Sequence, residues 1–494
     1  MQKKYILAID EGTTSVRCVL YSVKDNKIID SVSQKFRQYY PQEGWVEHDA
    51  QEIWKKTKYC LFEILKKIDP EQVFGIGITN QRETVVMWNK KTGKPIYNAI
   101  VWQCRRTVDY VKDNLGGQIA KKIHQKTGLL PDAYFSATKI KWLFENVPKA
   151  KTLLQKNELC AGTIESFLAF KLCNKFVTDI TNASRTMLFN IKTKCWDTEL
   201  LNLFNIDKQI LPSVIENNQI VGDFVYGKTK IPVCGLIGDQ QSSLFGQACF
   251  SAGDLKNTYG TGSFLLQSTG ENIVLSKNKL LTTVAWSING KTTYALEGSV
   301  FNCGSSIEWL KDVGLIESAR ESDKLAESVT SSAGVYFVPA FTGLGAPYWD
   351  GNARGLVCGL SRGSTKAHIV RAVLDSIAFG MKDVFDVMLA ETKCDAGVIR
   401  VDGGVSNSDF TMQYQSNLLG EKLEVSKEKE STSLGAIFMC GLGLGVWKDL
   451  KELSKLYQTS KVFKPKKSQK DMKIKYDGWK EAVQKALSKG GKND

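Results

Sequence analysis

No apolar run in the 494-residue chain approaches the ~18 residues needed to cross a bilayer. The first residues, Met1-Gln2-Lys3-Lys4-Tyr5, lead straight into a short strand pattern rather than into the apolar core and cleavage site of a signal peptide. A soluble, cytoplasmic protein without membrane insertion is the expectation. The 12 cysteines include no CxxC pair, and the nearest two, Cys160 and Cys173, are too widely spaced for a metal knuckle. Most lie in apolar contexts such as Val233-Cys234-Gly235, which reads as free, buried thiols in a reducing compartment. No long Pro/Gly/Ser linker or low-complexity block interrupts the chain. Acidic residues are in deficit, 52 against 66 Lys and Arg, giving a net charge of +14. Much of that excess sits in a basic tail from about residue 455. Its lysines are not interleaved with aromatics and accompany no base-reading motif, so a solvated surface is expected and no nucleic-acid partner.

What is present is an ordinary globular mixture, 43% hydrophobic and 24% charged, long enough for two domains. Strand and helix patterns alternate throughout, which makes the class α/β. Two stretches look like starts of related units, Tyr5–Val23 and Ile231–Gln247, each an apolar run ending in an aspartate, Asp10 or Asp239. They suggest two facing domains with a boundary near residue 245. Within the tail, "DGWKEAVQKAL" reads as an amphipathic helix. Oddest is "ITNQRETVVMW", residues 78–88, which sets Asn80 to Thr84 between two strand patterns. An arginine beside a glutamate there is either an internal ion pair or a polar site.

Three glycine turns follow strand patterns. "DEGTTS" places Gly12 before Thr13, Thr14 and Ser15; "TYGTGSF" places Gly260 and Gly262 around Thr261; "VDGGVSNS" places Gly403 and Gly404 after Asp402. Such turns aim N–H groups and hydroxyls at phosphate oxygens, and three of them point to a nucleotide gripped between the halves. Asp10 is a hard oxygen ligand suited to Mg²⁺, and Arg17 is within reach of the same side. "GDFVYGKT", residues 222–229, satisfies GxxxxGK[ST] but runs on into Lys230-Ile231-Pro232-Val233. A P-loop opens a helix instead, so this match is a chance one. Asp239 in "GDQQ" stands where a strand ends, either as a helix cap or as the carboxylate that phosphoryl transfer to an alcohol requires.

Together "IDEGTTS", "GWVEHD", "ITNQRETVVMW", "NAIVWQCRRT", "TNASRTML", "GDQQSSLFGQ", "NTYGTGSFLL", "VPAFTGLGAPYWD", "VDGGVSNSDFTMQYQSNLLG" and "STSLGAI" resemble the glycerol kinases. These belong to the FGGY carbohydrate kinases of the actin, Hsp70 and hexokinase superfamily. "YFSATKIKWLFE" and "GLVCGLSRGSTKAHIVRAVLD" are similar to that family's two signatures. The likeness runs from about residue 5 to 450. It implies two ribonuclease-H-like, actin-like ATPase domains, 1–245 and 246–494, with an active-site cleft between them. The substrate implied is glycerol, phosphorylated by ATP with Mg²⁺ to sn-glycerol 3-phosphate. The resemblance makes Arg82, Glu83, Tyr134, Asp239 and Gln240 the polyol ligands, with Trp102 and Phe264 on its carbon face and Asp239 as general base. It sets Thr13, Thr14, Ser15, Arg17, Thr261, Gly304, Glu308, Gly404 and Ser408 around the nucleotide and Asp10 at the metal. A homodimer or homotetramer is implied too.

Three departures matter. Glu308 replaces a frequent Gln and Ser408 a frequent Asn, both near the expected nucleobase. The loop before the GDQQ strand, "VGDFVYGKTK", has no histidine, so control by histidine phosphorylation there is expected to be absent. Lys230 stands near where an arginine serves fructose 1,6-bisphosphate in some relatives, and lysine lacks that residue's bidentate fork. The rival readings are a kinase for another polyol or a ketose, a non-catalytic ATP-binding scaffold, and a nucleic-acid binder. Each lacks something: a larger pocket than Trp102 and Phe264 suggest, a missing Asp239, and a recognition module.

Overall fold

The apolar run Tyr5–Glu11 forms β1, buried along most of its length, and turns through Gly12 into β2, Ser15–Ser22. In this computed structural model, which describes residues 2–488, the edge strand β3, Lys27–Lys35, follows. Val73–Asn80 is β4, Ile220–Tyr226 is β5 and Thr229–Gly238 is β6. They form one sheet in the order β5-β6-β4-β1-β2-β3, with β1, β4 and β6 mutually parallel. The second half builds β7 (Leu255–Tyr259), β8 (Ser263–Gly270), β9 (Leu281–Ile288), β10 (Lys291–Val300), β11 (Ile399–Gly403), β12 (Leu423–Ser426) and β13 (Thr459–Phe463). Their order is β9-β10-β8-β7-β11-β12-β13.

Strand for strand, β3-β2-β1-β4-β6-β5 matches β10-β8-β7-β11-β12-β13 in both order and direction, with β9 added at one end. The fold is therefore α/β with a duplicated sheet. This corrects the sequence expectation that Ile231–Gln247 begins the second unit. That segment is β6 and the helix after it, inside the first sheet, and the counterpart of the β1–β2 hairpin is β7–β8. The misleading resemblance has a physical source. Parallel strands of one sheet end at the same edge, so β1 and the β6 segment both run apolar residues up to an aspartate.

Helix α1, Asp239–Gly246, follows β6, and its counterpart α5, Ser431–Gly443, follows β12. Between them lie α2 (Gly304–Asp312), α3 (Lys366–Thr392) and α4 (Asp409–Leu419). Helices α1 and α5 touch backbone to backbone between the halves: a Cβ on Gly435 would strike the Ser242 carbonyl, and one on Gly246 the Ser431 carbonyl. Gly435→Ala is therefore expected to cost about 1–3 kcal/mol through overpacking, despite alanine's better helix propensity. The control Gly351→Ala meets nothing within 4 Å. Thermal melts of the two variants decide it; a Gly435→Ala protein as stable as wild type would refute the close contact.

Residues 222–229 form the β5–β6 hairpin, turning at Gly227, and open no helix. The tail is folded through its described part: β13 pairs with β12, and α6, Gln469–Ala486, buries Met472, Tyr476, Trp479, Ala482 and Val483. Tyr476 and Trp479 donate to the buried Asp383 carboxylate on α3 at 2.6 and 2.8 Å. Lys489, Lys492 and the terminus from Gly490 lie outside the described residues. Among the described residues no helix is long and apolar enough to cross a membrane. Eight of the 12 cysteines are buried and all are free.

Candidate active site

The carboxyl ends of β1, β4 and β6 present Asp10, the Asn80–Thr84 link and Asp239 to the edge of the second sheet where β7 and β11 end. The link exists because the chain leaves the main sheet after β4 and enters a separate five-stranded sheet through Val85–Asn89. Its polar residues are not solvated: Gln81, Arg82, Glu83 and Thr84 are all buried. Glu83 takes a left-handed backbone, φ 63°, a conformation non-glycine residues adopt only when the surroundings enforce it.

Arg82 and Glu83 are not primarily each other's partners, being 3.8 Å apart. Arg82 forms a two-pronged bridge to Glu297 on β10, at 2.6 and 3.0 Å. It also reaches Gln241 at 3.2 Å and lies 3.1 Å from the Asp239 carboxylate through Nε. Glu83 is held by Arg185, whose Nε donates at 2.6 Å while its Nη2 reaches Glu297 at 3.1 Å. Burial opposes the charge on Glu297, but Arg185 and Arg82 overcome it and hold the carboxyl down at about 2. Most of the Arg82 fork, which the resemblance assigns to the polyol, is thus committed to a carboxylate from the other half. One prong of that bridge, Nη2, also lies 3.5 Å from the Tyr134 hydroxyl.

Asp239 opens α1 but does not act as its side-chain cap; the N-cap is Gly238. Its carboxylate accepts from the Gln240 N–H at 2.7 Å and keeps more than a quarter of its surface exposed. Burial pushes its pKa up to about 6, against the pull of Arg82. Burial does the same to Asp10, also about 6, against a 2.8 Å hydrogen bond from Ser433; the charge on Asp239 adds to the rise. Trp102 meets the Tyr134 ring edge to face at 5.6 Å and donates from Nε1 to the Thr13 hydroxyl at 3.0 Å. Phe264 lies on the same face of β8 and β10 as Glu297, two positions along the register. Arg82, Glu83, Tyr134, Trp102, Thr13, Asp10, Asp239 and Gln240 are therefore brought to one place, with Phe264 on the opposing sheet.

The remaining expected residues sit elsewhere or are engaged. Arg17 pairs with Glu430, just before α5, which spans the two halves. The Gly260 and Thr261 carbonyls accept from the Gly304 and Ser305 N–H groups, so this turn seats the start of α2; a Cβ on Gly304 would press on Gly260. Thr14 is exposed and Ser15 half-buried beside it. Gly404 faces open space, with nothing within 4 Å of a built Cβ. Ser408 caps α4 and bonds Asp323 at 2.7 Å, while Glu308 is exposed and pairs with Lys311 at 2.7 Å.

The same fold recurs in known proteins. Residues 5–246 match the N-terminal domain of the FGGY family of carbohydrate kinases, and residues 255–444 its C-terminal domain. The chain belongs to the FGGY family of carbohydrate kinases. It is 49% identical to a glycerol kinase of Pediococcus pentosaceus over 98% of this chain and 97% of that protein. A crystal structure of Plasmodium falciparum glycerol kinase with ADP superposes with a TM-score of 0.94 at 38% identity, covering 99% of both chains. A ligand-bound xylulose kinase from Lactobacillus acidophilus superposes at 0.88 and 25% identity, covering 97% of both.

Sequence reasoning missed four buried residues of this FGGY chain's cleft: Arg185, Glu297, Lys256 and Asp402. The signal was there in each case. Glu297 is a charge between Leu296 and Gly298, Lys256 is one between Leu255 and Asn257 in a strand pattern, and Arg185 precedes the apolar run Met187-Leu188-Phe189. Asp402 ends the apolar run before the Gly403-Gly404 turn. Its Oδ2 accepts from the Ser431 hydroxyl and its Oδ1 is buried without a partner.

Proposed function

We propose that the chain transfers the γ-phosphoryl group of ATP to a terminal hydroxyl of glycerol, giving sn-glycerol 3-phosphate. The observation carrying this reading is the Asp239 carboxylate, partly exposed, paired with Arg82 and the Gln240 N–H, with the same Arg82 reaching the Tyr134 hydroxyl of the Trp102–Tyr134 pair. Asp239 accepts the hydroxyl proton as the oxygen attacks phosphorus in line. Arg82, Glu83, Tyr134 and Gln240 hold the hydroxyls, and the aromatic rings cover the carbon chain. Thr13, Thr14, Ser15, Arg17, Thr261, Gly304, Glu308, Gly404 and Ser408 surround the nucleotide, with Arg17 exchanging Glu430 for phosphate. Residues 1–245 and 246–494 act as two lobes whose closure excludes water and spares ATP from hydrolysis.

The donor set fits Mg²⁺. Asp10 is a hard oxygen donor destabilised by burial, and the orphaned Asp402 Oδ1 is an acceptor waiting for a donor or cation. Mg²⁺ needs only one or two carboxylates because water and phosphate oxygens complete its octahedron. When bound, it neutralises charge on the phosphates; Asp10 would hold it. A cytoplasmic location and a dimer or tetramer complete the reading.

The test is ADP release from MgATP across a panel of glycerol, erythritol, xylitol and xylulose. Glycerol is expected to give the highest kcat/KM. Faster turnover of a five-carbon substrate would place the chain with another branch, and ATP binding without any turnover would favour a scaffold.

A further inference from the structure

Lys256 is a cation inside a buried strand: in β7 it is fully buried, between Leu255 and Asn257. It is directed toward the cleft rather than toward water. Its Nζ donates to Gln240 Oε1 at 2.6 Å and to Thr258 Oγ1 at 3.1 Å. Among the described residues no carboxylate oxygen comes within ion-pair distance of it. The charges around it are Asp402 on β11, Glu297 on β10, Asp239 on α1 and Arg82 from the link. A lysine only donates, whereas a glutamine amide has an accepting and a donating end. With Oε1 pinned by Lys256, the Gln240 Nε2 end must turn the other way. Gln240 is half-buried and, among the described residues, its Nε2 donates to no protein acceptor.

We infer that Lys256 is a positioning residue for the polyol site: it fixes the Gln240 amide with its two N–H donors toward the substrate hydroxyls. This rests on the reading of Gln240 as a substrate ligand. Lys256 comes from the second half and Gln240 from the first, so the amide is set only when the two halves are docked as here. Unlike Arg82, which is tied to carboxylates, Gln240 then offers the cleft donors that no protein group competes for.

Three variants test it, with glycerol and ATP kinetics and a thermal melt for each. Lys256→Met keeps the length of the side chain and removes the donor. It is expected to raise KM for glycerol at least tenfold while KM for ATP changes less than threefold. Gln240→Ala is expected to do the same, and the double variant to be no worse than the poorer single one. Gln240→Glu pairs with Lys256 and presents only acceptors; it is expected to melt no lower than wild type yet to raise KM for glycerol at least tenfold. Fully multiplicative effects of Lys256→Met and Gln240→Ala would overturn the inference, as would a wild-type KM in Gln240→Glu. If wild type ignores glycerol altogether, the proposed substrate fails instead, and the panel above reports that separately.

Discussion

Asp239→Asn lowers glycerol-dependent turnover by roughly 10²–10⁴-fold, the range associated with losing a positioned general base. The amide keeps the shape of the carboxylate but takes no proton at neutral pH. Wild type should in addition lose kcat/KM as pH falls through about 6, because burial has raised the Asp239 pKa to that value and the protonated form is no base. Stability moves the opposite way. A folded-state pKa raised above the ordinary 3.8 means that the folded chain holds the proton more tightly than the unfolded one. The stabilisation is complete below that ordinary value and is lost as pH rises through about 6. At pH 7 the ionised carboxylate is thus a burden on the fold, and Asp239→Asn should melt at or above the wild-type temperature. Steady-state ADP release and differential scanning calorimetry at pH 5 and 7.5 check both halves. An Asn variant that keeps a tenth of wild-type activity would remove Asp239 from the chemistry; one that melts well below wild type would make it a structural partner of Arg82.

How much of this was legible beforehand differs by residue. The Asn80–Thr84 link stood out because five polar residues between apolar strands demand an explanation, and the explanation proved to be a passage between two sheets. The glycine turns were legible for the same reason: Gly12 and Gly260 interrupt strand patterns. What sequence could not supply was pairing across the halves. Glu297 lies 215 residues from Arg82 in the chain, and nothing local tells a strand carboxylate which arginine it will face. The two sheets share strand order and direction although β5 precedes β6 and β13 follows β12 in the chain, and the apolar run up to Asp239 stood in for the start of the second unit. Glu308 and Ser408 show the converse. Their positions were inferred from resemblance, and the structure gives each an ordinary local partner, Lys311 and the α4 N-terminus.

Glu297→Gln is expected to be the most damaging change to the fold. Arg82 and Arg185 are 2% and 0% exposed and share this one carboxylate. Glutamine has one accepting oxygen where two guanidiniums now use two, and its NH₂ end points hydrogens at a guanidinium that also only donates. Leaving a buried charge without its partner costs about 3–5 kcal/mol, more than the pair itself contributes relative to an apolar substitute. The remaining counter-charges, Glu83 and Asp239, already serve Arg185 and Arg82, so they offer little relief. The pH dependence has a definite sign. The folded-state pKa of about 2 lies below the ordinary 4.5, so the stabilisation is present above 4.5 and fades as pH falls toward 2. The gap between wild type and Glu297→Gln should hence be constant from pH 6 to 8 and close only in acid. Activity should fall as well, because an Arg82 released from Glu297 no longer holds its Nε against Asp239. Urea unfolding at pH 7 and 4 measures the gap. A variant within about 0.5 kcal/mol of wild type at pH 7 (on the scale of an ordinary surface change) would mean that Glu297 is not the keystone of the two arginines. A double change, Arg82→Met with Glu297→Leu, separates fold from function. It should recover part of the stability, since Arg185 loses Glu297 but keeps Glu83 as its counter-charge, and none of the turnover, since Asp239 has lost its guide.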